Sequence, residues 1–319
     1  MTSRLKGIAC GVLFVWCASS RAATPVILVP GFMGQRNIEA IGPYFYGVAE
    51  ALREDGIDVT AIAPPPVAGS EERGAYLGHA IDDVLRRTGA THVIVIAHSQ
   101  GGVDVRAAID AGYAEKIAAV ATLSAPHHGT EVADVALALP RSIVRATLAG
   151  LHARFESEQH MRATEPAPDA ALISLSTRGM RAFNARHPST QGVPFFSLAS
   201  LSGPDVDGSC AGGAWGPPRK IDTLHPMLVV GRAMIASAAG DISNDGVVPT
   251  RSMRWGKFLG CIPGDHADWM GWKPFATIDH VAFLRELTHA LEDVAAAHDA
   301  RALDAHIPAL ARMATADVH

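Results

Sequence analysis

Residues 93–104 read VIVIAHSQGGVD: an apolar, β-branched run that meets one serine between small residues and passes directly into a helix-forming stretch. A strand that hands over to a helix in this way must turn sharply. Such a turn lifts the serine Oγ clear of the backbone, and the small neighbours let strand and helix pack closely around it. The N-terminus of the following helix adds a field that favours negative charge beside the hydroxyl. Ala97 stands where the commonest form of the turn has glycine, and alanine is the next smallest side chain.

The flanking sequence repeats the same alternation. PVILVPG (25–31) suits a buried strand and a turn. A helix with Pro43 in its first turn follows, with Phe45, Val48, Ala49 and Leu52 at helical spacing and Gly56 as its stop. Residues 57–64 read as a second strand. Ser70, Glu71 and Glu72 then open a helix whose Leu77, Ile81, Val84 and Leu85 share a face and which Gly89 ends. After a third strand, THVIVIA (91–97), come a helix from about 102 to 111 and a strand at 117–126. Strands alternating with helices predict an α/β fold, with a mostly parallel sheet covered by helices on both faces. From about 134 to 189 the rhythm breaks into helical, mixed-polar sequence, read as an insertion over the sheet. Residues 193–200 resume the core, an amphipathic helix near 278–297 closes it, and the last twenty residues are Ala-rich and carry no pattern.

At 319 residues with 48% hydrophobic side chains, the chain is long enough for one sizeable core. Its formal charge is −5, with no Lys/Arg cluster beyond the start, which argues against nucleic acid as a partner. Residues 1–23 read as a secretory signal peptide. Arg4 and Lys6 precede an apolar stretch at 8–18 that is too short to span a bilayer, and small residues follow at Ser20 and Ala22. The expected mature unit is therefore 24–319, secreted to the periplasm or beyond. Cys210 and Cys261 are then the remaining cysteines, and an oxidising compartment makes one disulfide the natural reading, against two separately buried thiols.

A serine hydroxyl is a poor nucleophile at neutral pH and needs a base oriented by a carboxylate. In this strand-turn-helix context the expected chain order is Ser, acid, His. Asp245, in the polar turn ISNDGVVP, is the acid candidate, with Asp241 as the alternative. For the base, His266 lies on a Gly/Pro-marked loop, His280 near the start of the closing helix and His289 within it. Loops carry catalytic groups disproportionately, which favours His266. Oxyanion donors are expected from the Gln100 amide, directly after the serine, and the Phe32 amide in the PGFMG loop.

Taken in order, VILVPGFMG, IAHSQGG, SAPHHGTEVAD, NDGVVP and DHADW resemble the oxyanion loop, nucleophile turn, pre-lid segment, acid loop and histidine loop of the secreted bacterial triacylglycerol lipases, α/β-hydrolases of the true-lipase family. The resemblance covers most of the chain after the leader and independently favours His266 over His280. It implies an α/β-hydrolase fold with a helical lid insertion at about 134–189. It implies a triacylglycerol lipase acting at a lipid–water interface through a Ser-His-Asp triad and an acyl-enzyme. The alternative is a short-chain carboxylesterase or a polyhydroxyalkanoate-type polyester depolymerase. It also implies one structural calcium held by the Asp222 and Asp268 carboxylates and by carbonyls of Trp272 and Ala276, no organic cofactor, and for some members a lipase-specific foldase. Trp272 replaces the family's usual glutamine, which leaves a carbonyl ligand intact. Pro30 replaces the usual histidine before the loop glycine, so a local hydrogen bond must differ. Cys261 lies nearer the histidine than the family's second cysteine; its bridge to Cys210 is expected to tie two loops. His127 and His128 are read as structural, because adjacent histidines point apart on most backbones. In the insertion, Leu139, Ile143, Ala146, Leu148 and Leu151 form one apolar face, read as the inner face of a lid.

Overall fold

The apolar runs at 26–29, 93–98 and 195–201 are buried at every residue, as central strands of a parallel sheet covered by helices on both faces must be. The computed structural model describes residues 23–34, 37–38, 42–144, 146, 168–240, 242–271 and 277–315. The proposed leader through residue 22, Leu148 and Leu151 of the expected lid face, Asp241, Trp272 and Ala276 lie outside the described residues. Eight strands are described: β1 (Val26–Val29), β2 (Asn37–Ile38), β3 (Gly42–Pro43), β4 (Val59–Ala61), β5 (Val93–His98), β6 (Ile117–Leu123), β7 (Phe195–Leu201) and β8 (Lys257–Pro263). Strands β2 and β3 form a small antiparallel pair; the other six make a sheet in the order β4-β1-β5-β6-β7-β8, every neighbour parallel.

Helices cover both faces: α1 (Val48–Glu54), α2 (Ser70–Thr88), α3 (Gln100–Ala108), α4 (Glu131–Ala138), α5 (Pro168–Leu175), α6 (Thr177–Arg186), α7 (Val229–Ala239), α8 (His280–Ala297) and α9 (Ile307–Thr315). Alternate strand residues divide between two cores, as the two-residue period of a strand requires. Val26, Leu28, Ile94 and Ile96 pack with Leu52 of α1 and with Phe283 and Leu287 of α8; Ile27, Val29, Val93 and Val95 pack with Leu77 and Ile81 of α2. Among the described residues no helix is long and apolar enough to cross a membrane.

The strand order decides where a site can form. After β1 the chain turns to β4 on one side, then crosses to β5 on the other, so the loops following β1 and β5 diverge. Ligand crevices in open α/β sheets lie at the carboxyl ends of strands at such a switch point. Here that places the Pro30–Gly34 loop beside Ser99.

Several local expectations change. The first helix starts at Val48, not near Pro43, because Gly47 at φ 76° sets its N-terminus, and Pro43 lies in β3. The second strand shrinks to three residues. The helix after Ser99 starts at Gln100, two residues before its sequence-based start, and a five-residue π-turn (Ile109–Tyr113) follows it. The sixth sheet strand, β8, has no alternating pattern, and Gly260 at φ 146° interrupts it where the Trp215 ring leaves no room for a Cβ. Of the Ala-rich C-terminal residues, 300–305 form a 3₁₀ turn and 307–315 form α9, with Leu303 of the turn and Leu310 and Ala314 of the helix fully buried in the α1/α8 core. Small side chains give little periodic contrast, so the sequence alone carried no helix signal there.

Cys210 and Cys261 form a disulfide across 51 residues of chain. Cys261 sits within β8 rather than on a loop, so the bridge anchors the 203–215 segment to a sheet strand. Closing a loop of this length restricts the unfolded chain, and replacing both cysteines by alanine is expected to cost about 2–4 kcal/mol, read as a lower denaturation midpoint with a somewhat larger m-value as the unfolded chain expands.

Candidate active site

Ser99 occupies the strained turn between β5 and α3, at φ 55° and ψ −129°. Non-glycine residues rarely hold positive φ, and the surroundings fix this one. The Ser99 amide donates to Leu123 O at 2.9 Å, and the Gly102 amide donates to Ser99 O at 3.0 Å. The two glycines after Gln100 are required by close approach. A Cβ on Gly101 would lie 2.8 Å from Val29 O, and one on Gly102 would lie 2.5 Å from the Ala125 Cβ.

His266 and Asp245 reach Ser99 from loops far along the chain. His266 Nε2 lies 2.9 Å from Ser99 Oγ, and His266 Nδ1 lies 2.6 Å from Asp245 Oδ2. The Asp245 carboxylate is fully buried, and its other oxygen accepts the Val247 and Val248 amides at 2.9 and 2.7 Å. The His266 amide donates to Asp245 O at 3.0 Å, so the loops carrying Asp245 and His266 are joined through backbone as well as side chain. A neutral imidazole in this position donates from Nδ1 to the carboxylate and presents Nε2 as an acceptor to the hydroxyl. The competing histidines sit elsewhere: His280 Nε2 lies 2.8 Å from Tyr46 O, and His289 lies between Asp55 and Glu292.

The loop after β1 passes over the serine. A Cβ on Gly31 would sit 2.6 Å from the Ser99 Cβ, so no side chain is tolerated there. Phe32 occupies the turn that follows, and Gln100 opens α3, where an amide has no acceptor within the helix. The Gln100 side chain is turned away, donating to Ala68 O at 2.9 Å.

Three residues that sequence patterns did not single out hold this loop. The buried Arg73 guanidinium donates to Pro30 O at 2.7 Å, Gly31 O at 3.1 Å, Pro65 O at 3.0 Å and Asp104 Oδ2 at 2.7 Å. Tyr44 Oη accepts the Gly31 amide at 3.1 Å and lies 2.6 Å from His98 Nδ1. These contacts fill the place of the hydrogen bond that Pro30 cannot supply. Burial and the neighbouring His266 hold the His98 imidazole well below the usual histidine range, so it stays neutral.

Asp222, Asp265 and Asp268 are all buried beside the histidine loop. Asp268 Oδ2 accepts the Asp265 amide at 2.9 Å, and Asp265 Oδ2 accepts the His225 amide at 2.6 Å. Thr277 donates to Asp222 Oδ1, whereas Asp222 Oδ2 is buried without a partner among the described residues. Burial raises the Asp268 carboxyl to about 9, with Asp265 and Asp222 adding to the effect, and raises Asp222 to about 6. Carboxylates crowded out of water with an orphaned oxygen match the donor set of a hard divalent cation. Among the described residues no group of three or more His, Cys, Asp or Glu side chains is arranged to hold one metal, so carbonyl ligands would have to complete the site. His127 is buried against Thr122, 3.0 Å from its hydroxyl, and His128 Nε2 lies 3.2 Å from Arg254 O.

Comparison with known proteins agrees with this architecture. Residues 24–200 match the α/β-hydrolase fold family model. A triacylglycerol lipase of Pseudomonas fragi is 35% identical over 178 residues, a match spanning 53% of this chain and 59% of that enzyme. One from Vibrio cholerae serotype O1 is 28% identical over 241 residues, 74% of this chain and 75% of the relative. Among solved structures, lipase 1 from Pelosinus fermentans superposes with a TM-score of 0.59 at 18% identity, covering 85% of this chain and 99% of that one. The Bacillus licheniformis lipase BlEst2 in mature form superposes at 0.55 with 21% identity, over 78% and 86%. At these identities the structural matches speak to fold alone. With a family model that covers more than half its length and a six-stranded parallel sheet that carries the serine turn, the chain belongs to the α/β-hydrolase fold family.

Proposed function

We propose that this protein is a carboxylic ester hydrolase, and specifically a secreted triacylglycerol lipase. The observation that carries the reading is the hydrogen-bonded chain from Ser99 Oγ through His266 to Asp245. Ser99 Oγ attacks the ester carbonyl while His266 Nε2 takes its proton. Asp245 holds the imidazole in the required tautomer and stabilises the imidazolium that forms. The Phe32 and Gln100 amides hold the oxyanion. Collapse of the tetrahedral intermediate transfers the proton from His266 to the departing alcohol and leaves an acyl-Ser99. Water, activated by the same imidazole, then releases the fatty acid.

The preference for a lipid substrate is supported by the curated names of the relatives and by apolar side chains left in water. Leu137, Leu139, Ile143 and Ile173 are exposed on α4, the segment after it and α5; Met227 is exposed in the turn before α7, and Val229 and Val230 at its start. Helix α4 packs against both α5 and α7, so these side chains belong to neighbouring elements. A p-nitrophenyl ester series tests the reading. Higher kcat/KM for long acyl chains, with a rise in rate above the solubility limit, is expected of a lipase; activity confined to short chains would favour the esterase alternative. A serine-directed phosphonate that leaves Ser99 unlabelled would overturn both.

The Asp222 and Asp268 carboxylates are proposed to hold a structural calcium ion, with the carbonyls of Trp272 and Ala276. Bound there, calcium neutralises the buried carboxylates and pins the loop that carries His266. Treatment with EDTA is expected to lower Tm by several degrees and added Ca²⁺ to restore it; an unchanged Tm on chelation would remove calcium from the description.

A further inference from the structure

Tyr44 Oη joins the two loops that meet at Ser99. The Gly31 amide donates to it, so its own proton is directed to its other neighbour, His98 Nδ1, at 2.6 Å. Gly31 lies on the loop that carries the Phe32 amide, and His98 is the residue immediately before Ser99. The three groups therefore form a continuous amide-to-phenol-to-imidazole chain, in which each hydrogen bond strengthens the next. All of it is buried: Tyr44 is 7% and His98 1% exposed. The far face of the His98 ring lies against His266, with ring centroids 4.6 Å apart. Burial raises the Tyr44 phenol above its ordinary range, so it remains a neutral donor and acceptor.

We infer that Tyr44 and His98 are positioning residues for ester hydrolysis: they hold the β1 loop at the distance from Ser99 at which the Phe32 amide meets the developing oxyanion. This rests on the ester-hydrolase reading given above. Among the described residues the loop is held at its far end by the Met33 amide, which donates to Pro66 O at 2.9 Å. Arg73 grips its carbonyls at Pro30 and Gly31, whereas Tyr44 grips the Gly31 amide. Rotation of the Gly31–Phe32 peptide changes where the Phe32 N–H points, and Tyr44 restrains the N-terminal side of that unit. Oxyanion donors act through pre-set geometry, and a displacement of about 1 Å costs on the order of 100-fold.

The test compares the parent, Tyr44→Phe and Tyr44→Phe/His98→Phe in p-nitrophenyl butyrate hydrolysis, in phosphonate labelling of Ser99 and in thermal unfolding. Tyr44→Phe deletes only the hydroxyl. It is expected to lower kcat roughly 10- to 100-fold with KM within about threefold, and to slow phosphonate labelling in parallel. The double variant removes the unpaired imidazole while keeping a ring against His266. It is expected to regain part of the lost Tm without regaining kcat. A kcat for Tyr44→Phe within threefold of the parent, or a kcat that recovers together with Tm in the double variant, overturns the inference and leaves the hydrolase reading intact. A parent that neither hydrolyses the ester nor is labelled at Ser99 overturns both.

Discussion

Ser99→Ala is expected to reduce kcat/KM toward a p-nitrophenyl ester by about 10⁴- to 10⁶-fold while leaving Tm within a few degrees of the parent. The side chain is small, and the turn's conformation is imposed by the Leu123 carbonyl and the close approach of Gly101 and Gly102, none of which needs the hydroxyl. The loss is therefore one of chemistry, not of folding. His266→Ala is expected to cost a comparable factor, and the double variant hardly more than either single one. A hydroxyl without its base and a base without its hydroxyl are equally idle. An additive double variant, or a Ser99→Ala protein that keeps a tenth of the parent's activity, would place the nucleophile elsewhere.

Arg73→Met is expected to lower folding stability by about 3–5 kcal/mol, a large part of what a domain of this size possesses. Arg73 and Asp104 are both fully buried, 2.7 Å apart, and the guanidinium also donates to three backbone carbonyls. Removing the cation strands a carboxylate in the apolar space between α2 and α3. Burial already raises the Asp104 carboxyl to about 6 against the pull of Arg73, and losing Arg73 raises it further. A raised folded-state value means the folded form gains stability by taking up a proton as pH falls through it. The deficit of Arg73→Met relative to the parent should thus be greatest at alkaline pH and narrow as pH falls toward 6. Converting Asp104 to leucine in the same chain is expected to recover much of the stability, because no buried charge is then left unpaired. The recovered protein should still hydrolyse esters more slowly, since the carbonyls of Pro30 and Gly31 lose their shared donor. Chemical denaturation at pH 6 and pH 9 measures the stability changes, and p-nitrophenyl ester hydrolysis measures the rate.

What was legible in the sequence was local. The apolar runs within 25–31, 91–97 and 117–126 read as buried strands because both faces of a parallel sheet need hydrophobic side chains. The turn at Ser99 was visible because strand, small residues and helix follow within ten positions. Asp245 and His266 stood out through loop chemistry and through resemblance to a known family, and the structure brings both to Ser99. The elements that went unread lacked local contrast: β8, interrupted by Gly260, and α9, built largely from alanine. Arg73, Tyr44 and His98 went unread for a different reason. Nothing within a few residues of an arginine or a tyrosine says that its partner is a backbone group more than ten positions away.

The sequence by itself determined which segments bury their backbone and where one turn must be tight, since periodicity and side-chain size act over a handful of residues. Only the tertiary structure decided that β1 and β5 lie side by side at the point where the sheet's connections reverse, so that Gly31 crosses Ser99. Only it decided, too, that a phenol, an imidazole and a guanidinium from separate segments converge to hold that crossing. Convergence of this kind depends on how the strands are ordered, and hydrogen bonds between distant segments leave no periodic trace in the chain.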